Sequence, residues 1–394
     1  MNVPLLDLQA QYATIKDKVR AAIDEVLSSQ QFVLGSQVSA LEREIADHSG
    51  AQFAVGVASG TDALLLSLKA LGVGPGDAVV TVPFTFFATA GAIANLGARP
   101  IFVDIEDAGF GMDPDKLSSF LAGECTFNLT TQKLIHKTSG TCVKAIVPVH
   151  LYGQCADMEG LGSITRRYEL PIVEDACQAI GAKFKKLQAG TMGDLGCFSF
   201  FPTKNLGGGG DGGMVITSNR GLAQRVRLLR THGSQPKYFH AIVGFNSRLD
   251  EIQAAILRVK LPYLEKWSQA RCENALRYDR EFQAAGLLPF IKPPKILPDR
   301  SHIFHQYVIR CRMRDELHSF LKDRGIGTEI YYPVSLHEQE CFRYLDYSAA
   351  DMPCSRAAAK EVLALPIYPE LSNDQIDYVV KSIGEFYRDE QKRR

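Results

Sequence analysis

No stretch of this chain is apolar for long enough to cross a bilayer. The longest apolar run, Phe84 to Leu96, carries Thr and Asn and falls short of the ~20 residues that a spanning helix needs. The first residues, Met1-Asn2-Val3-Pro4-Leu5-Leu6-Asp7, lack a basic segment followed by an apolar one, which predicts no signal peptide. Net charge is absent too, because 44 Lys and Arg balance 44 Asp and Glu. Binding along a nucleic acid needs a basic excess somewhere. The one dense basic stretch, Arg388 to Arg394, reads as a solvated, frayed end. The nine cysteines form no Cys-x-x-Cys pair and no zinc spacing with histidine. They read as small hydrophobes in a reduced, cytoplasmic protein without a metal. In that compartment the Asn128-Leu129-Thr130 sequon meets no glycosylation machinery. Internal repeats and low-complexity segments are also missing.

What is present is a globular composition, 46% hydrophobic and 22% charged over 394 residues, long enough for two domains. Ile15, Val19, Ile23 and Val26 recur at helical spacing, as do Val38, Leu41 and Ile45 before a stop at Gly50. Short β-branched runs follow at Val79 to Val82, Ala145 to Val149, Ile172 to Glu174 and Met214 to Thr217. Amphipathic stretches such as Asp62 to Leu71 and Met158 to Tyr168 lie between them. That alternation predicts an α/β fold with a mostly parallel sheet covered by helices on both faces. Residues 123–142 read as a loop or irregular hairpin. After about residue 247 a helical stripe, Leu249, Ile252, Ile256 and Val259, is interrupted at Pro262 and resumes through Leu264, Trp267, Tyr278 and Phe282. Gln306 to Arg312 reads as a strand, Asp315 to Asp323 as a helix ended by Gly325, and Ser372 to Gln375 as a capping box. The expected division is a large domain over 1–264, which includes the N-terminal helical segment, and a smaller α+β domain over 265–394.

Four segments carry chemistry. Ser59-Gly60-Thr61-Asp62 opens a helix, where free N–H groups and a partial positive charge suit an anion; by itself it also reads as a plain cap. Asp175 ends a strand, and an acid there is costly unless it caps a helix or meets a positive charge, such as a protonated pyridine nitrogen. Gln178, three residues on, could bond a ring hydroxyl, while Glu174 points to the other side of the strand. Lys204 sits between an aromatic strand, Phe198-Ser199-Phe200-Phe201, and a glycine run, Gly207 to Gly210. Desolvation there makes it a usable nucleophile for a Schiff base, and Ser199 can donate to a phosphate. The glycines permit positive φ and tight packing. A ring of Phe84-Thr85-Phe86-Phe87 can stack on a flat cofactor, or belong to the core.

These segments fall in an order that resembles the sugar aminotransferases of the DegT/DnrJ/EryC1/StrS family, within fold type I of the pyridoxal-phosphate enzymes. The resemblance runs nearly end to end. It includes Val3 to Leu8, Ser59 to Leu64, Val147 to Gly153, Glu174 to Gln178, Phe198 to Phe200, Pro202 to Gly207, Asp211 to Gly213, Asn246 to Asp250 and Tyr331 to Pro333. Its implied fold is a large domain built on a seven-stranded type of sheet, with a smaller C-terminal α+β domain.

The resemblance also implies roles. Lys204 bonds pyridoxal 5'-phosphate as a Schiff base and shuttles a proton. Asp175 pairs with the pyridine nitrogen, Gln178 with the ring hydroxyl, and Phe86 stacks on the ring. Gly60, Thr61 and Ser199 hold the phosphate. Asn246 reaches the phosphate of the neighbouring subunit in a homodimer, and Tyr332 and His337 close over the sugar. The implied reaction takes an amino group from L-glutamate, through pyridoxamine 5'-phosphate, to a 3- or 4-keto hexose linked to a nucleotide, for amino-sugar biosynthesis. Cys177 stands where the family usually has Ala, and residues 123–142 exceed the usual connection. A related sugar dehydratase is an alternative, although His replaces the lysine in those relatives. A non-catalytic regulator or scaffold of the same fold is another.

Overall fold

The computed structural model describes residues 1–348 and 350–393, with side chains as far as Arg388. The frayed end expected beyond Arg388 lies outside the described side chains.

A seven-stranded sheet organises the N-terminal two thirds. Its order is Phe53–Val57, Gly213–Thr217, Leu195–Ser199, Val173–Asp175, Cys142–Ile146, Asp77–Thr81 and Arg99–Phe102. Only Gly213–Thr217 runs against its neighbours. The middle of the sheet is stitched by two parallel bridges, Ile146 to Ile172 and Val149 to Asp175. There the Asp175 amide donates to Pro148 O at 2.9 Å and the His150 amide to Asp175 O at 3.0 Å. Regular pairing stops at Ile146, three residues before the expected end, and Pro148 has no N–H to extend the ladder.

Side chains alternate across the sheet, as strand geometry demands. Val55, Val57, Val215, Cys197 and Val173 pack with Leu64, Leu66 and Leu68 of the helix Gly60–Ala70. On the other face, Ala54, Met214, Ile216 and Phe198 meet Leu41 and Ile45 of the helix Ser36–Ser49, and Leu257 of Glu251–Lys260. Each Val, Leu, Ile, Phe or Met side chain among these, once buried, contributes ~1.5–3 kcal/mol. Burial on both faces is why the strands read as continuous apolar runs. Residues 125–136 form a hairpin, Cys125–Asn128 against Lys133–His136, which joins the edge of Cys142–Ile146.

The chain leaves this sheet through Glu251–Lys260, a short turn at Leu261–Tyr263 and the long helix Leu264–Ala284. The C-terminal part packs an antiparallel sheet, Ile291–Lys292, Tyr307–Cys311 and Val362–Leu365, beneath Leu264–Ala284, Arg314–Asp323 and Asn373–Arg393. The capping box is present: the Ser372 amide donates to Gln375 Oε1 at 2.9 Å, and the Gln375 amide to Ser372 Oγ at 3.3 Å. Val3 belongs to this C-terminal core. Its amide donates to Gly325 O and its carbonyl accepts from the Gly327 amide, both at 2.8 Å. No helix among the described residues is long and apolar enough to cross a membrane.

Candidate active site

The strand ends and the loops above them enclose a cavity of about 480 Å³, a size ordinary for a cofactor site. Its lining includes Gly60, Thr61, Phe86, Asp175, Gln178, Ser199, Lys204 and Tyr332. Eight of the expected site residues, from six separate segments, therefore meet in one place. Asn246 and His337 are not part of that lining. Asn246 is exposed and bridges Thr231. His337 is buried in a short turn pinned by the Leu336 amide donating to Pro83 O at 2.8 Å, and its ring meets Tyr347 edge-on.

At one end lies the N-terminus of the helix Gly60–Ala70, where Ser59 Oγ accepts from the Asp62 amide at 3.1 Å. The amides of Gly60 and Thr61 are first-turn groups, which an α-helix leaves without an internal acceptor. A Cβ on residue 60 would come within 2.6 Å of Ser199 Cβ and 3.0 Å of Cys177 Sγ. Only glycine brings the helix end, Ser199 and Cys177 this close, and the result is a compact anion cradle. The later glycines serve packing rather than positive φ, because none of Gly207 to Gly213 adopts it. A Cβ at Gly207 would stand 2.2 Å from Pro202 O, and one at Gly213 2.2 Å from Ser59 O.

Asp175 forms the floor. Its Oδ2 accepts from Thr89 Oγ1 at 2.7 Å and its Oδ1 from the Cys177 amide at 3.2 Å. Thr85 Oγ1 lies 3.1 Å from Thr89 Oγ1 and extends the chain. Glu174, one residue earlier, faces away and is fully buried. It accepts from His150 Nε2 at 2.8 Å, from the Gly190 amide at 2.7 Å, and from the amides of Met192 and Gly193. Adjacent carboxylates thus serve opposite sides of the strand, one on the cavity and one bracing the turn behind it.

Lys204 follows a tight turn in which its amide donates to Phe201 O at 2.9 Å. Burial lowers its pKa, against the opposing pull of Cys177 and Asp175. Desolvation also pushes the Cys177 thiol and the Tyr332 phenol up and keeps both protonated. His305 shares the lining; burial first, and Lys204 next, hold it well below the usual histidine range. Its Nδ1 lies 3.2 Å from Asn205 Oδ1.

The residues present fit a phosphorylated pyridine aldehyde. A helix end with hydroxyls suits the phosphate, a braced carboxylate suits the ring nitrogen, and a desolvated lysine suits the aldehyde. Thr85, Thr89, Phe201, His305 and Gln306 also belong to the site or its bracing; the sequence reading gave none of them a role there, although Phe201 lies in the aromatic segment beside Lys204. Only the Phe-Thr-Phe-Phe run hinted at Thr85.

Comparison with known proteins agrees. A "Pleiotropic regulatory protein" from Geobacillus stearothermophilus is 48% identical over 98% of this chain and 99% of its own. The UDP-N-acetyl-3-dehydro-alpha-D-glucosamine 3-aminotransferase of Acidithiobacillus ferrooxidans is 41% identical over 95% of each chain. Among solved structures, S. venezuelae DesV in complex with a ketimine intermediate superposes with a TM-score of 0.90, at 38% identity and 98% coverage of both chains. The family model matches residues 13–384, and the chain belongs to the DegT/DnrJ/EryC1/StrS aminotransferase family.

Proposed function

We propose that this chain moves an amino group from L-glutamate to a keto carbon of a nucleotide-linked hexose, working as a cytoplasmic homodimer. The chain is a pyridoxal-phosphate-dependent aminotransferase of its family. The observation that carries the finer reading is the meeting of Lys204, Asp175 and the Gly60 cradle in one cavity, joined to relatives that aminate nucleotide sugars. A lysine in this cavity disfavours the dehydratase and scaffold alternatives. We assign residues 1–264 to the large domain and 265–394 to the smaller one.

In this reading Gly60, Thr61 and Ser199 bind the phosphate, Phe86 lies against the ring, and Gln178 donates to the ring hydroxyl. The bound cofactor supplies an aldehyde and a cationic ring that draws electrons from the donor's α-carbon. Asp175 holds the proton on the ring nitrogen, and Thr89 fixes the carboxylate for that task. With the cofactor bound, Lys204 would hold its aldehyde and serve as the base that takes up and returns the proton of the donor's α-carbon. Its depressed pKa leaves more neutral amine near neutral pH than an ordinary lysine has. Tyr332, together with the C-terminal segment that carries His337, helps close over the sugar, and Asn246 serves the partner's phosphate.

The test is the visible absorption of protein loaded with pyridoxal phosphate, before and after L-glutamate and then a UDP-linked 3-keto hexosamine. Wild type should bleach with the donor and recover with the acceptor. Lys204→Ala should lose at least about a hundredfold in the rate of exchange. A band that ignores every amino donor would overturn the proposal.

A further inference from the structure

Tyr152 is outside the cavity lining, yet it bonds three residues that form it. It sits in the short turn Leu151–Gly153, is 3% exposed, and has φ 58° and ψ 1°. That left-handed conformation is rare for a residue with a side chain. The turn is locked from behind, since a Cβ on Gly153 would lie 2.8 Å from Ile303 Cγ1 and 3.0 Å from the His305 amide nitrogen. In this position every polar group of Tyr152 is engaged. Its amide donates to Gln178 Oε1 at 2.7 Å, its carbonyl accepts from the Gln306 amide at 3.3 Å, and its hydroxyl donates to Tyr331 O. The ring itself packs edge-on against Phe110. Gln178, Gln306 and Tyr331 all line the cavity.

One more bond closes a circuit. Gln178 Nε2 donates to the hydroxyl of Tyr332 at 3.1 Å, and Tyr332 is joined to Tyr331, whose carbonyl Tyr152 holds. The Tyr152 N–H admits only the oxygen end of the Gln178 amide, so the amide has one orientation. Its second Nε2 hydrogen is then a donor for a ligand. Tyr332, having accepted from Gln178 and being kept protonated by burial, offers its own hydrogen as a second donor.

We propose that Tyr152 is a positioning residue: its hydroxyl tethers the Tyr331–Tyr332 segment to Gln178, so that both donors face acceptor oxygens of the bound ligands in a fixed register. The proposal rests on the aminotransferase reading above for its functional consequence, though not for the tether. Tyr152→Phe removes the tether and keeps the ring and the amide bond to Gln178.

The experiment compares amide hydrogen exchange of ligand-free wild type and Tyr152→Phe by mass spectrometry, alongside both half-reactions. Peptides over 329–336 should exchange about tenfold faster in the variant, with the sheet strands unchanged. The L-glutamate half-reaction should stay within about twofold, while KM for UDP-N-acetyl-3-keto-glucosamine rises about fivefold or more. Unchanged exchange over 329–336, or equal slowing of both half-reactions, sinks the proposal. Should wild type ignore that acceptor, the substrate reading fails and the exchange result alone decides the tether.

Discussion

At the scale of single residues, the site depends on side chains that fix others. Thr89 is 1% exposed and supplies the only hydroxyl bonded to Asp175 among the described residues. Thr89→Val keeps the shape and removes that donor, leaving one carboxylate oxygen short of a partner. Losing a hydrogen bond to a charged group costs about 1.5 kcal/mol or more, so pyridoxal phosphate should bind about tenfold more weakly. Absorbance titration of the cofactor into the variant measures this directly; undiminished affinity would remove Thr89 from the machinery. Lys204, Asp175, Gln178 and Gly60 were legible as candidates because each stands in a local pattern of charge beside apolar strand or glycine. Thr89 and His305 were not, because an isolated Thr or His carries no such pattern until folding sets it beside a partner 86 or 100 residues away.

At the scale of elements, periodicity marked the helices, but two helix starts are completed from far along the chain. The helix Ser36–Ser49 has no cap of its own. Glu251 supplies one, accepting from the amides of Gly35, Gln37 and Val38 at 2.7, 2.8 and 2.9 Å. The helix Pro353–Glu361 likewise lacks a local side-chain cap. Asp104 accepts from the amides of Cys354 and Ser355 at 2.9 and 3.0 Å and from Ser355 Oγ at 2.5 Å. Capping rules read only neighbouring residues, so neither arrangement was visible beforehand. Burial disfavours the charge on Asp104, and the bonds from Ser355, Cys354 and Ile105 outweigh it, leaving the pKa lowered. A lowered carboxyl pKa stabilises the fold above the unfolded value, ~3.9, and that share fades as pH falls through the folded value. Asp104→Asn should therefore cost about 1–3 kcal/mol at pH 7. The gap from wild type in urea unfolding should narrow below about pH 4. A gap independent of pH would show that charge is not what caps this helix.

At the scale of the whole molecule, the sheet order could not be read from the sequence. The single reversed strand, Gly213–Thr217, has the same unbroken apolar pattern as the strands on either side, which run against it, because burial on both faces sets composition and not direction. Partnership between subunits leaves a similar gap. Exposed Tyr238, Phe239 and Val243 lie close in sequence to Asn246, an apolar surface that the proposed homodimer would cover. If Asn246 serves the partner's cofactor, Lys204→Ala and Asn246→Ala protomers should complement. Each mixed dimer then holds one site with both residues intact, so random re-pairing of equal amounts restores about a quarter of wild-type activity. Activity no greater than the sum of the separate variants would place both residues in one protomer's site.

The bonds of Val3 to Gly325 and Gly327 also set a clock on synthesis. A ribosome adding ~5–20 residues per second makes the second half of that pairing roughly 16 to 65 seconds after the first. Over that interval the segment around Val3 waits without its backbone partners and with its side chain uncovered, while the strands of the large sheet are made. The C-terminal part is therefore completed by a segment made long before the residues that cover it, and the growing chain needs protection there until Gly325 and Gly327 emerge.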